Sequence, residues 1–298
     1  MTAPMPWLQL ETEAGQQNPE SMEPVLESLG AVAVYFRDAG DEPILEPAPG
    51  ETPSWSSTIV TALFPEGTQA ADLTRALAGI IDAGQLNFAV VEDRDWHAEW
   101  RNTLQPLQFG NRLWVVPDGM NAPDGGNERA CVYLSPGMAF GTGEHPTTAM
   151  CLKWLDAQEL ANTAVLDYGC GSGLLAIAAL ALGADYVQAV DIDPQALEAT
   201  RCNATDNACL DRLNVSFPEE INDSRKYDVL VANILSGTLV ELGPVIRELM
   251  SPGARLALSG ILATQADQVQ SAWSDWAILE VASQIDDWIL LTGCKHGM

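Results

Sequence analysis

Three polar residues stand where apolar, β-type runs of the second half of the chain end: Asp167 after 165–166, Asp191 after 186–190 and Asn233 after 227–232. Between the first two lie three alternating glycines, Gly169, Gly171 and Gly173, followed by an apolar, alanine-rich stretch over 174–183. Strand, glycine turn, helix, strand and acid in that order make half of a nucleotide-binding α/β unit. Glycines let a backbone approach a ligand closely, and a carboxylate such as Asp191 can accept from both hydroxyls of a ribose. The structural alternative is a tight turn in a Rossmann-like binding domain.

The glycine spacing narrows the ligand. A dinucleotide fingerprint reads G-x-G-x-x-G and sets helix amides against a pyrophosphate. Here the run is Asp167-Tyr168-Gly169-Cys170-Gly171-Ser172-Gly173, with Leu174 where the last dinucleotide glycine would fall. No Lys-Ser/Thr pair follows to hold a triphosphate. An acid ahead of G-x-G-x-G resembles the first motif of S-adenosylmethionine-dependent methyltransferases, whose ligand carries an amino-acid head group and no phosphate. Cys170 lies inside this loop without a histidine partner and reads as turn filler.

A second loop, 136–149 (PGMAFGTGEHPTTA), is dense in Gly and Thr and precedes a helix expected to run to about Leu160. Thr147 and Thr148 fall near its start, where a hydroxyl normally caps free amides. One is expected to cap and the other to stay free; Glu144 and His145 are candidates for the cofactor's head group. Further on, 193–208 reads as a helix opened by Asp-Pro, 213–217 and 227–232 as strands, and 237–250 as a helix. Ser251-Pro252-Gly253 turns into a strand at 255–259, and 276–282 with 288–292 closes as a hairpin around Asp286-Asp287. Seven strands with a late hairpin suit a methyltransferase sheet better than a six-stranded dinucleotide domain. Ligand is expected at the carboxyl ends of the central strands.

The first hundred residues have another pattern: strands at 7–13, 31–37, 58–64 and 87–92, with helices at 19–29 and 70–83. That βαββαβ order suggests a small ferredoxin-like α+β sandwich. It holds no catalytic constellation and reads as a recognition module. Residues 93–102 suggest a connecting helix with Trp96 and Trp100 on one face, expected to pack. His97 and His296 have no ligand-type neighbours. Strands at 113–117 and 131–135, with a polar loop at 118–127, open the second domain.

Composition sets the outer limits. The chain has 298 residues, 47% of them hydrophobic and 18% charged, enough for two domains. No apolar span reaches membrane length and no leader is visible, so a cytoplasmic, non-membrane protein is expected. Six scattered cysteines without C-x-x-C pairs argue for free thiols and no metal site. With 41 acids against 14 bases, the formal charge of −27 repels nucleic acid and attracts a basic protein. The other reading of that acidity is solubility or a salt-adapted host.

On MAFGTGEHPTT (138–148), LDYGCGSGLLAIAA (166–179), VDIDPQAL (190–197), VANILSG (231–237) and LSGIL (258–262), the chain resembles the ribosomal protein methyltransferase family that trimethylates protein eleven of the large subunit. The resemblance covers most of residues 110 to 298. It implies a seven-stranded Rossmann-like class I domain over 111–298, a linker over 93–110 and a substrate-recognition domain over 1–92. It implies S-adenosyl-L-methionine contacts at Thr148, Gly169, Asp191 and Asn233, completed by Gly171 and Thr147 of the same loops. Asn233 carries the expected catalytic role, and Glu144 departs from the family, which often has an uncharged residue there.

Methyl transfer from a sulfonium needs alignment above all, and the acceptor amine must be uncharged. No dedicated base stands out, and Asn233 is expected to orient the amine through its carbonyl. Methyltransferases of planar amides and bases resemble one another in Asn-Pro-Pro-Tyr/Phe. Here the residues are Asn233-Ile234-Leu235-Ser236, which suits an sp³ amine. The expected substrate is therefore a lysine side chain or N-terminal amine on a basic large-subunit protein, methylated by a monomer without direct nucleic-acid contact. The alternatives are a glutamine or small-molecule methyltransferase and a non-catalytic cofactor-binding or assembly protein.

Overall fold

The computed structural model describes residues 7–15, 18–40, 55–81, 83–91, 105–122, 129–134, 143, 145–221 and 224–296. The chain forms two compact units, residues 1–100 and 101–298. The expected helix over 93–102 with Trp96, His97 and Trp100, residues 136–142, Glu144 and part of the 118–127 loop lie outside the described residues.

The first unit runs β1 (Trp7–Glu13), α1 (Glu23–Ser28), β2 (Ala33–Asp38), β3 (Thr58–Phe64), α2 (Ala70–Ala76) and β4 (Asn87–Val91). Its antiparallel sheet has the order β2-β3-β1-β4. Period-two alternation sends Leu10, Val60, Ala62 and Phe64 toward Leu26 of α1 and Leu73 of α2, and these form one core. The helix expected over 19–29 is divided: Asn18 caps a 3-10 turn, Pro19–Ser21, and α1 starts after Met22. The helix expected over 70–83 stops at Leu77, because Gly79 takes φ +87° and Ala78 bridges to Ile81.

The second unit begins with β5 (Leu107–Phe109), β6 (Leu113–Pro117) and β7 (Ala130–Leu134), which form a three-stranded sheet of their own. There follow α3 (Pro146–Asp156), β8 (Ala164–Tyr168), α4 (Leu174–Ala181), β9 (Tyr186–Val190), α5 (Pro194–Asp206) and β10 (Leu213–Ser216). The chain continues through β11 (Tyr227–Asn233), α6 (Ser236–Leu249), β12 (Met250–Leu262), α7 (Ala266–Trp273), β13 (Ala277–Ile285) and β14 (Trp288–Lys295). Strands β8 to β14 make a seven-stranded sheet in the order β10-β9-β8-β11-β12-β14-β13. The first five pair in parallel; β14 is antiparallel to both β12 and β13.

The central strands read as continuous apolar runs because both faces of the sheet are covered. In β11, Val229 and Val231 enter one core while Leu230 and Ala232 enter the other. Helix α4, apolar from Leu174 to Leu180 and buried throughout that stretch, lies in the first of these cores. Four elements differ from the sequence reading. The strand expected at 255–259 starts at Met250; Ser251-Pro252-Gly253 is absorbed as an irregularity, with Gly253 at φ +76°. Helix α3 ends at Asp156 rather than near Leu160. Short β5 and α7 have no counterpart in the reading; α7 buries only Val269 and Trp273.

Candidate active site

The parallel strand order reverses between β8 and β11, and this is where an open α/β sheet leaves a crevice at its carboxyl edge. Asp167 of β8 is level with Val231 of β11, so the glycine loop and Asn233 emerge side by side. Gly169 has φ +84°, and a methyl group built on it would overlap Ile234 Cγ2. The sequence reading gives that space to a ligand; in the structure Ile234 takes the position a side chain at 169 would occupy. Gly260 of β12 meets the other side of the same residue, where a Cβ would overlap the Ile234 carbonyl.

Asp191, directly after β9, is tied on both oxygens. Its Oδ2 accepts from Gly171 N at 2.9 Å and its Oδ1 from Asp193 N at 3.0 Å. The loop is pinned to the same strand end by Gly169 N and Cys170 N, which donate to Val190 O at 2.7 and 2.9 Å. The half-buried carboxylate is thus held in one rotamer, and each oxygen keeps a lone pair for a further donor. Beside it Ile192 is 81% exposed, an apolar side chain open at the rim of the crevice.

Asp167 is fully buried. Its Oδ2 accepts from Ala176 N at 2.9 Å, which caps α4 in place of Gly173, a residue with no side chain to do so. Its Oδ1 has no hydrogen-bond partner among the described residues. Burial pushes the carboxyl up to about 7; the Ala176 N–H opposes the rise and the Asp191 charge adds to it. The Cys151 and Cys170 thiols are also pushed up, by burial first and then by Asp167, so both rest as neutral thiols.

Helix α3 brings up the two threonines, and neither caps it. His145 is the N-cap residue, its Nδ1 accepting from Thr147 N at 3.4 Å and lying 2.7 Å from Thr147 Oγ1. Thr147 is therefore held by the histidine, whose ring meets Trp288 edge-on at 5.3 Å between centroids. Thr148 Oγ1 accepts from Asn233 Nδ2 at 3.1 Å, and this links α3 to the end of β11. The structure therefore joins Thr148 to Asn233, Gly171 to Asp191, and Thr147 to His145. Gly169 touches none of these side chains; it abuts Ile234.

The reading from sequence missed the capping role of His145, the unsatisfied oxygen of Asp167, and Ile192. The S/T/D/N preference for caps pointed to the threonines, whereas the imidazole one residue before Pro146 does the work. Among the described residues no group of three His, Cys, Asp or Glu stands ready to hold a metal, and no helix is long and apolar enough to cross a membrane.

Residues 6–296 match the family model described as Ribosomal protein L11 methyltransferase (PrmA). A ribosomal protein L11 methyltransferase of Marinobacter nauticus is 47% identical, covering 97% of this chain and 98% of that protein. One from Shewanella amazonensis is 43% identical over 99% of this chain and 100% of its own length. Among solved structures, a ribosomal protein L11 methylase from Lactobacillus delbrueckii subsp. bulgaricus superposes with a TM-score of 0.57 at 26% identity, covering 65% of this chain and 100% of that one.

Proposed function

The chain belongs to the ribosomal protein L11 methyltransferase family, and from that premise we propose that it transfers methyl groups from S-adenosyl-L-methionine to lysine side-chain and N-terminal amines of large-subunit protein L11. The second unit has the class I methyltransferase-like α/β fold, and we read its seven-stranded sheet as the Rossmann-like catalytic core. The first unit we read as a ferredoxin-like module that recognises the substrate protein. The boundaries proposed are 1–92 for recognition, 93–110 for the linker and 111–298 for catalysis. Monomeric action in the cytoplasm completes this reading.

The crevice fits the proposed donor on its own chemistry. Asp191 offers two oriented lone pairs to a ribose diol, and Ile192 offers an apolar face to a flat ring. The unsatisfied Asp167 Oδ1 is an acceptor in a dry site, which a nearby ammonium satisfies directly or through one water. The stretch 165–193 contains no Lys or Arg, so a phosphate would lack a counter-charge there. When bound, the sulfonium donor supplies an electrophilic methyl carbon. The chain's own residues then have to orient and desolvate the acceptor.

The single observation that carries the amine reading is the Asn233–Thr148 hydrogen bond. With Nδ2 committed to the threonine, Asn233 presents its carbonyl Oδ1 to an amine N–H and fixes the nitrogen lone pair in line. Ile234 and Leu235 follow instead of an aromatic clamp, which leaves a tetrahedral amine free to turn between successive transfers. Leu235 is 55% exposed and offers an apolar wall that disfavours the ammonium form. No residue in this arrangement has to act as base; the proton leaves to solvent before transfer.

The test is to incubate the full chain with radiolabelled donor and purified L11, with free glutamine, release factor and L11 lacking its lysines as comparison arms. Label on the amines of L11 is the expected result. Label on a glutamine amide or on none of the acceptors would overturn the reading, the latter in favour of a non-catalytic binding protein.

A further inference from the structure

Helix α5 crosses behind the glycine loop, and three of its polar side chains face inward at helical spacing. Thr200 is fully buried, and its Oγ1 donates to Gly171 O at 3.0 Å. One turn later Asn203, 6% exposed, donates from Nδ2 to Ser172 O at 2.8 Å. At the helix end Asn207 pairs like a strand with Tyr133 of β7, accepting from its N at 2.7 Å and donating to its O at 2.6 Å. The helix start is fixed as well: Asp193 caps it, and Asp191 accepts from Asp193 N. A Cβ at Gly173 would come within 2.7 Å of Thr200 Cγ2, so the threonine lies directly against the loop.

Spacing of three and four residues puts 200, 203 and 207 on one stripe of the helix. Two rungs grip successive carbonyls of the loop, and the third ties the same helix to a second sheet. A peptide unit is planar, with its C=O and N–H pointing opposite ways. Turning Gly171 O and Ser172 O toward α5 therefore fixes which edge of those peptides faces away from the helix. Gly171 is also the residue whose N–H holds the Asp191 carboxylate. One rigid triangle results, with corners at Asp191, Gly171 and Thr200.

We propose that Thr200 and Asn203 are positioning residues that set the curvature of the glycine loop for the donor, with α5, anchored by Asn207, as the brace. This rests on the reading above that the donor lies over that loop. The two hydroxyl and amide contacts do no chemistry, and their loss should appear in donor affinity instead of in turnover.

The test is calorimetric titration of the full chain with S-adenosylhomocysteine, together with steady-state kinetics on L11. Thr200→Val should raise the product's Kd about tenfold, the factor that loss of the buried hydrogen bond to Gly171 O, about 1.4 kcal/mol, yields; the weaker 3.4 Å contact with Cys170 Sγ is lost with it. Turnover at saturating donor should stay within about twofold of wild type. Thr200→Ser should restore most of the affinity. Thr205→Val is the matched control, because that hydroxyl bonds only the helix's own Arg201 carbonyl, and it should bind as wild type does. Should Thr200→Val not fold, Asn203→Ser is expected to give the same split between Kd and turnover. Wild-type affinity in a folded Thr200→Val or Asn203→Ser, or an equal loss in Thr205→Val, would overturn the brace. Absence of binding by the wild-type chain would instead overturn the donor reading itself.

Discussion

At the scale of single residues, the site depends on a few side chains whose partners are already fixed before any ligand arrives. Asn233→Ala removes the carbonyl that orients the amine; turnover should fall about a hundredfold, a typical loss for misplaced reactants, with donor Kd nearly unchanged. Equal losses in both would return Asn233 to a donor-binding role alone. Thr148→Val leaves Asn233 without the acceptor that holds its Nδ2, and should cost about tenfold in turnover. Asp167 makes a different prediction. Its carboxyl is raised from 3.8 to about 7, so the folded chain holds that proton more tightly than the unfolded chain does. Its contribution to stability is full below about pH 4 and is lost as the pH rises through about 7. The remaining acids add their own pH dependence, so the useful quantity is a difference. The melting temperature of Asp167→Asn minus that of wild type should increase from pH 5 to pH 8, by a few degrees at the upper end. A difference that stays flat across this range would mean that the buried carboxyl does not titrate there.

At the scale of elements, local contacts decide where strands and helices meet. Asp156, buried at the end of α3, accepts from Asn111 N at 2.6 Å, Arg112 N at 3.1 Å and Leu113 N at 3.0 Å, with the Arg112 guanidinium 3.6 Å away. It fastens the β5–β6 turn to the sheet domain. Asp156→Ala strands those amides and should destabilise by about 3–5 kcal/mol, read as a shift of the urea midpoint at constant slope. Gly169→Ala has two faults, a left-handed backbone and a clash with Ile234; Ile234→Ala should relieve the clash and restore part of the stability, leaving the backbone strain. Such contacts also explain what was legible in the sequence. The runs at 165–168, 186–190 and 227–233 are apolar because both faces are buried, and strand ends that carry Asp191 and Asn233 could be read directly. Capping by Asp193 followed the Asp-Pro signal. Capping by His145 did not, because it depends on a ring orientation shared with Thr147 and Trp288. Helix α7 escaped because eight residues with two buried apolar positions carry too little periodicity to stand out. The inner face of α5 was likewise invisible: Thr200, Asn203 and Asn207 are ordinary surface residue types until the loop they grip is in place.

At the scale of the whole molecule, charge is the property that the fold does not require. Residues 1–100 hold 17 acids and 3 bases. Two of those bases, Arg37 and Arg75, are already paired with Glu11 at 3.2 Å and Asp72 at 3.0 Å. Surface pairs of this kind add little stability, and the excess of 17 acids over 3 bases leaves the unit with a net negative charge. A field of one sign accelerates encounter with a basic partner and is screened over about 8–10 Å at moderate salt. It bears on binding the substrate protein and leaves the buried transfer step alone. Raising salt from 50 to 500 mM should therefore lower kcat/KM for L11 by about tenfold, with turnover at saturation and KM for the donor unchanged. Replacing several exposed acids of the first unit, Glu13, Glu20, Glu27 and Glu66, with their amides should reproduce at low salt the loss seen at high salt and flatten the salt dependence. If KM for the protein substrate is the same at both salt concentrations, the acidity serves solubility, and recognition by the first unit must rest on shape and apolar contact.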